Sequence, residues 1–273
     1  MSQQKKGAGA WILIGLAIFY MGFLILAPIF SLVRGAFQDG FQAVLQSLSS
    51  TDLLESLLLS VQIALGVVLV QVIFGSLVAW ILVRQDFPGK SLLNGLIDIP
   101  FAISPVVVGY MLLLLFGRNG YLNPILERLD VQIAFAVPGM FLATLFVSLP
   151  FMIREMMPVI EALDRQQEYA AETLGANIYT IFSRVIFPQL KNGLIYGMTL
   201  TFARALGEFG AVLVIGGGVQ GRTETATLFI FRSLEERQFT DAYTASILLG
   251  AFSVLIVSIA DGLKRANAMR YLK

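Results

Sequence analysis

Residues 164–190 read DRQQEYAAETLGANIYTIFSRVIFPQL. This is the long polar segment of a chain whose other stretches are apolar enough to dissolve in lipid. Asp164 and Gln167 stand at the N-cap to N3 spacing of a capping box. The pattern predicts a short helix that stops at Gly175, because a C′ residue with positive φ is strain-free only as glycine. Asn177 is placed to cap a second short helix carrying Ile178, Ile181, Phe182, Val185 and Ile186, and Pro188 is expected to end it. Two short helices meeting at a sharp corner, with an apolar face too short to span a bilayer, allow two readings. One is an amphipathic connector lying on the membrane surface. The other is a docking element for a soluble partner.

Around this segment the chain is 57% hydrophobic and 14% charged, with mean hydropathy +0.79. Soluble domains carry roughly 25% charged residues, so the chain reads as an all-α integral membrane protein in contact with lipid. A formal net charge of +1 argues against nucleic acid as a partner. The chain has no cysteine, which removes disulfides, thiol chemistry and thiolate metal sites. It has no histidine either, which removes imidazole catalysis and the commonest metal ligand. No catalytic residue, metal or resident cofactor is expected.

Six apolar runs are long enough to cross a hydrocarbon core of about 30 Å. They cover residues 11–32, 57–83, 97–116, 133–153, 194–215 and 242–259. The first follows Lys5 and Lys6; it is too long for a signal peptide and no small-x-small cleavage site follows it, so a retained span is expected. Pro100 and Pro105 interrupt the third run, and Pro138 and Pro150 lie in the fourth. With the N-terminus inside, Lys5, Lys6, Arg84, Lys90, Arg154, Arg165, Arg184, Lys191, Lys264, Arg265, Arg270 and Lys273 are cytoplasmic. Only Arg34, Arg118, Arg128, Arg222, Arg232 and Arg237 are then outside. This asymmetry predicts six spans with both termini inside and 164–190 in the cytoplasm. The expected organisation is 1–56 as an N-terminal segment with the first span, 57–262 as the transmembrane core, and 263–273 as a cytoplasmic tail. Gly89-Lys90-Ser91 looks like the end of a Walker A motif, but Arg84 stands where the motif needs its first glycine. ATP is therefore not expected to bind here.

Three places could carry function. Pro100 and Pro105, flanking Ser104, free backbone carbonyls and kink the third span, either to line a cavity or only to shape packing. Arg204 and Glu208 lie near the middle of the fifth span, where one charge costs on the order of 2.5–3.5 kcal/mol. Their i, i+4 spacing lets them pair, as a lock between helices or as a pair that changes partners when a gate moves. Gly216-Gly217-Gly218-Val219-Gln220-Gly221-Arg222-Thr223 then offers backbone N–H groups beside an arginine. It is either an anion-holding nest or a flexible surface loop.

Tyr169-Ala170-Ala171, then Gly175, then Ile186-Phe187-Pro188 resembles the cytoplasmic loop of bacterial ABC-importer permeases, E-A-A, three residues, G, nine residues, and an aliphatic-x-Leu-Pro-like end. The family's glutamate falls on Tyr169, between Glu168 and Glu172. The stretches DIPFAISPVVVGYMLLLLFGRNG and ARALGEFGAVLVIGGGVQGRTETATLFIF are similar to the W-type subunit of sulfate/thiosulfate permeases, and less closely to the molybdate permease. The likeness covers roughly residues 57–261. It implies the type-1 importer fold in a bacterial-type plasma membrane. It also implies a second homologous permease, two ATPase subunits carrying ATP and Mg2+, and an extracytoplasmic sulfate-binding protein. The ATPase contact would comprise Glu168, Tyr169, Ala170, Ala171, Glu172, Leu174, Gly175, Ile178 and Pro188. The pathway would comprise Ser104, Pro105, Arg204 and Glu208, with Gly216, Gly217, Gly218, Arg222 and Thr223 as a possible anion contact. Two further classes stay open. An ion-coupled secondary transporter would need buried carboxylates, of which only Glu208 is mid-span; an intramembrane enzyme would need a base beside Ser104, and none is evident.

Overall fold

The computed structural model describes residues 8–270, and every regular element among them is helical. Lys5, Lys6 and Lys273, used above to orient the chain, lie outside the described residues. Helix α1 spans Ala8–Ala36, longer by four residues at its C-terminal end than the apolar run implied. Trp11, Phe19, Phe23 and Phe30 point outward from it, as expected of a helix solvated by lipid. Its anchor is at the C-terminal end, where Gly35 leaves room for the Tyr243 ring. A short amphipathic helix, α2 (Phe41–Leu48), follows; no long apolar run announces it.

Helix α3 (Thr51–Arg84) begins at Ser50, whose side chain accepts the Leu53 N–H at 3.3 Å. Its 34 residues make a rod of about 51 Å at 1.5 Å per residue. Leu53, Ser56, Ser60, Ile63, Val67, Gln71, Gly75, Ala79 and Leu82 form one buried stripe at three- and four-residue spacing. From Ile63 onward that stripe packs on α7 (Val137–Glu161), with Gln71 Nε2 donating to Leu145 O at 3.1 Å, while Leu53 lies against Phe229 and Ala245 and Ser60 accepts the Ala226 N–H at 2.8 Å.

The third run departs from a kinked span. It is two helices, α4 (Lys90–Ala102) and α5 (Pro105–Phe116), bent by 109°. Ile103 and Ser104 are extended, as a residue before proline must tend to be, and Pro105 opens α5 where its missing N–H costs nothing. Pro100 sits inside α4 and marks no break. After a short α6 (Asn123–Arg128) comes α7 (Val137–Glu161). It starts four residues later than the run and continues eight beyond it; Phe135 at φ 56 and extended Ala136 delay the start, and Pro138 occupies the first turn.

The 164–190 segment folds as α8 (Arg165–Thr173), α9 (Ile178–Ile181), a π turn (Phe182–Ile186) and the start of α10 (Phe187–Leu206). Pro188 thus does not end a helix. The Phe187 N–H bonds Phe182 O, five residues back, and this wider turn lets Pro188 enter at the head of α10. The fifth run is also broken: α11 (Gly210–Gly216) leaves α10 at 57°. Helix α12 (Ala226–Glu235) and the long α13 (Phe239–Arg270) complete the chain.

Among the described residues four helices are long and apolar enough to cross a membrane, and the two bent pairs would bring the number to six. Helices α3, α7 and α10 form the central trio. At the end carrying the 164–190 corner, Ala79, Leu82, Ile97, Met152, Met156, Ile160 and Leu190 pack together. Toward the other end Ile63, Val67, Met140, Leu206, Val212 and Leu228 do the same. Gly193 and Gly197 let α10 lie against Val159 and Met152 of α7, where a Cβ would sit 2.6 Å from either side chain.

Candidate functional site

The corner owes its shape to its own caps. Asp164 Oδ1 accepts the Gln166 N–H at 2.9 Å and opens α8. The reciprocal half of the capping box is absent, because Gln167 Oε1 instead accepts Gln189 Nε2 at 3.0 Å. At the other end Gly175 has φ +83; its N–H bonds Glu172 O at 2.9 Å, and the Ala176 N–H bonds Ala171 O at 3.0 Å. This pair of bonds is a Schellman stop. Asn177 Oδ1 then accepts both the N–H and the hydroxyl of Thr180 at 2.8 Å.

The corner so built exposes apolar side chains: Leu174 is 89% and Ile178 86% accessible, and Tyr169 and Tyr179 are also exposed. Ala170 is exposed and Ala171 half-buried beside them. The two glutamates separate in role. Glu172 is exposed, whereas Glu168 Oε1 lies 2.6 Å from Arg84 Nη2.

The two breaks meet. Gly210, first residue of α11, lies against Pro105 and Val106, where a Cβ would be 3.3 and 3.0 Å away. Gly109 of α5 is so close to α11 that its Cβ would stand 2.6 Å from Ala211 O. Ser104 is exposed beside Pro105. Arg204 and Glu208 do pair, Nη2 to Oε2 at 2.8 Å. Yet Glu208 is not on the α10 helix; it stands in the break. Its second oxygen accepts the Ala211 N–H at 3.0 Å and so caps α11, while Thr227 Oγ1 donates to its backbone carbonyl at 2.7 Å. The Glu208 side chain is 2% exposed and that of Arg204 28%.

In the glycine loop after α11, Gly217 and Gly218 take φ +71 and +60. The Thr223 hydroxyl donates to Gly216 O at 2.8 Å and accepts the Val219 N–H at 3.0 Å, so it is spent within the loop. Arg222 is exposed, at a small cavity shared with Asp52, Glu55 and Glu224.

Four polar clusters were not singled out from the sequence. Arg232 Nε and Nη2 grip both oxygens of buried Glu224, at 2.6 and 3.1 Å, and Nη1 reaches Glu236 at 3.1 Å. The Glu224 hydrogen bond holds the Arg232 guanidinium above its usual value, against the lowering effect of burial. Arg154 Nε and Nη2 reach the two Asp98 oxygens at 2.9 and 2.5 Å, tying α4 to α7. A lone acid in an apolar run was the available signal for Asp98. Arg84 with Glu168, 84 positions apart, had none. In the turn before α4, Lys90 bonds exposed Asp86 at 2.8 Å and holds its carboxyl below the usual value. Among the described residues no three acidic groups converge as metal ligands.

A family model described as the binding-protein-dependent transport system inner membrane component matches residues 71–273. The chain belongs to that family. In this inner-membrane component family ATP is hydrolysed by separate ATPase subunits, so the chain is a multi-pass transport subunit and not an enzyme. The sulfate transport system permease protein CysW of Synechococcus elongatus is 45% identical over 94% of this chain and 90% of that protein. CysW of Escherichia coli is 41% identical over 94% and 88%. CysT of Escherichia coli is 34% identical over 95% and 94%. A crystal structure of a bacterial alginate ABC transporter, in complex with an alginate pentasaccharide-bound periplasmic protein, superposes with TM-score 0.72 at 16% identity. It covers 94% of both chains and shares the fold.

Proposed function

We propose that the chain is the W-type permease subunit of an ATP-driven importer for sulfate and thiosulfate. The observation that carries the reading is the 45% identity with a sulfate permease CysW across nearly the whole length of both proteins. Weaker but consistent likeness to CysT supports a heterodimer of two homologous permeases. The remaining partners in this reading are two ATPase subunits, which hold ATP and Mg2+, and an extracytoplasmic sulfate-binding protein. The chain crosses a bacterial-type inner membrane six times, counting each bent pair once, with both termini inside.

The exposed corner of Tyr169, Leu174 and Ile178 is the ATPase contact in this reading. Glycine and small residues keep it narrow, and its apolar side chains need a groove to enter. The pathway runs beside the meeting breaks, with Ser104, Pro105 and Arg204 facing it. Glu208 offsets the Arg204 charge, so a dianion is held weakly in transit and selectivity rests mainly with the binding protein. The glycine loop contributes Arg222 as an entry contact.

The test is purification of the tagged chain with its neighbours, followed by uptake in proteoliposomes supplied with loaded binding protein. An ATPase subunit should copurify, and labelled sulfate uptake should be inhibited by thiosulfate more than by molybdate. ATP-independent uptake would support an ion-coupled transporter instead. Stronger inhibition by molybdate would move the substrate.

A further inference from the structure

Helix α8 must pass any push from an ATPase to the spans, yet little apolar packing joins them. An apolar cavity of about 790 Å3 lies between α8 and the facing sides of α3 and α10, lined in part by Val72, Trp80, Tyr169, Phe182 and Leu194. What bridges it is polar. Arg84, the last residue of α3, meets Glu168 of α8 at 2.6 Å, with side chains 8% and 24% exposed. The Arg84 guanidinium also lies over Trp80, 5.0 Å from the ring centroid, and Arg165 Nη2 reaches back to Arg84 O at 3.4 Å. The Gln189–Gln167 bond to α10 is exposed and uncharged.

We propose that Arg84 is a positioning residue for transport, a strut through Glu168 that carries the motion of α8 into α3. The inference rests on the reading of α8 as the ATPase contact. Arg84 Nε is buried without a hydrogen-bond partner, so the guanidinium has given up water and depends on Glu168 and the Trp80 face. Such a pair does not open cheaply, which is what a strut requires. Helix α3 in turn lies along α7 and is bonded to it at mid-length through Gln71. Motion at the corner therefore reaches the α3–α7 pair directly, and not only the broken helices.

The experiment uses the assembled complex with its second permease, ATPase subunits and loaded binding protein. Three quantities are read: ATPase subunit retention, ATP hydrolysis, and labelled sulfate uptake per ATP hydrolysed. Arg84→Met and Glu168→Gln should each keep the ATPase subunits but lower uptake per ATP by about tenfold, the low end of the scale for a lost hydrogen bond to a charged group. Exchange of the charges, Arg84→Glu with Glu168→Arg, should recover uptake to within about threefold of the unaltered complex if the pair alone is coupled. A merely structural role would not change the ratio of uptake to hydrolysis. Normal uptake per ATP in both single variants, or an exchanged pair as poor as either single variant, overturns the proposal. If the unaltered chain holds no ATPase subunit, the docking reading itself fails.

Discussion

Removing Arg204 should damage the protein more than removing Glu208, because the two are not equally buried. Glu208 is 2% exposed and satisfies both oxygens inside the protein, one on Arg204 and one on the Ala211 N–H. Arg204→Met leaves that carboxylate without a countercharge in a water-poor site, at a cost of about 3–5 kcal/mol. Glu208→Gln leaves Arg204, 28% exposed, to recover some hydration, and the glutamine oxygen still caps α11. That loss is closer to a hydrogen bond to a charged group, about 1.5–3 kcal/mol. The double variant should be more stable than Arg204→Met alone, with a coupling energy within about 0.5–3 kcal/mol. The assay is the midpoint of SDS-induced unfolding of the purified chain, with complex assembly as a second readout. Transport should stay low in the assembled double variant if Arg204 serves the pathway. Equal damage from both single substitutions, or additive losses in the double variant, would refute the burial argument.

The cysteine-free chain permits a clean topology test: cysteines at Gln38 and Asn119 should react with an impermeant thiol reagent from outside, and those at Gln85 and Asn177 only after the membrane is opened. The reverse pattern would invert the orientation. A Cβ at Gly175 meets no atom within 4 Å, but Gly175→Val places a β-branched residue at φ +83, a strain of about 1–3 kcal/mol; ATPase subunits should be retained in part while uptake falls. Ala171→Trp should instead release the ATPase subunits in the same pull-down, and normal retention and uptake in both variants would reduce the corner to a surface connector. Gly109→Ala puts a methyl 2.6 Å from Ala211 O and should destabilise the chain by about 1–3 kcal/mol on the same SDS scale, with unchanged stability counting against the close packing of α5 on α11.

Much of this protein is local in origin. The runs of apolar residues foretold α1, α3 and α13, because a bilayer requires about 20 apolar residues however they later pack. Asp164, Gly175 and Asn177 foretold the corner, because each acts on backbone groups within five residues of itself. The Arg204–Glu208 pair was legible for the same reason of short spacing. The outcome at each proline was not. Pro100 rides inside a helix, Pro105 starts one after a 109° bend, and Pro188 enters one through a π turn. A proline removes one donor and crowds one carbonyl wherever it stands; whether the chain kinks, breaks or widens depends on which neighbour takes up the slack. At Pro105 that neighbour is Gly210, 105 positions away, and nothing local names it. Long separation likewise hid the pairing of Arg84 with Glu168 and of Asp98 with Arg154, whereas the role of Glu208 as the cap of α11 is local and stayed hidden because the break after Leu206 was not foreseen. Burial makes a partner obligatory for Arg84, but only the packing of α3 and α8 decides that the partner is Glu168.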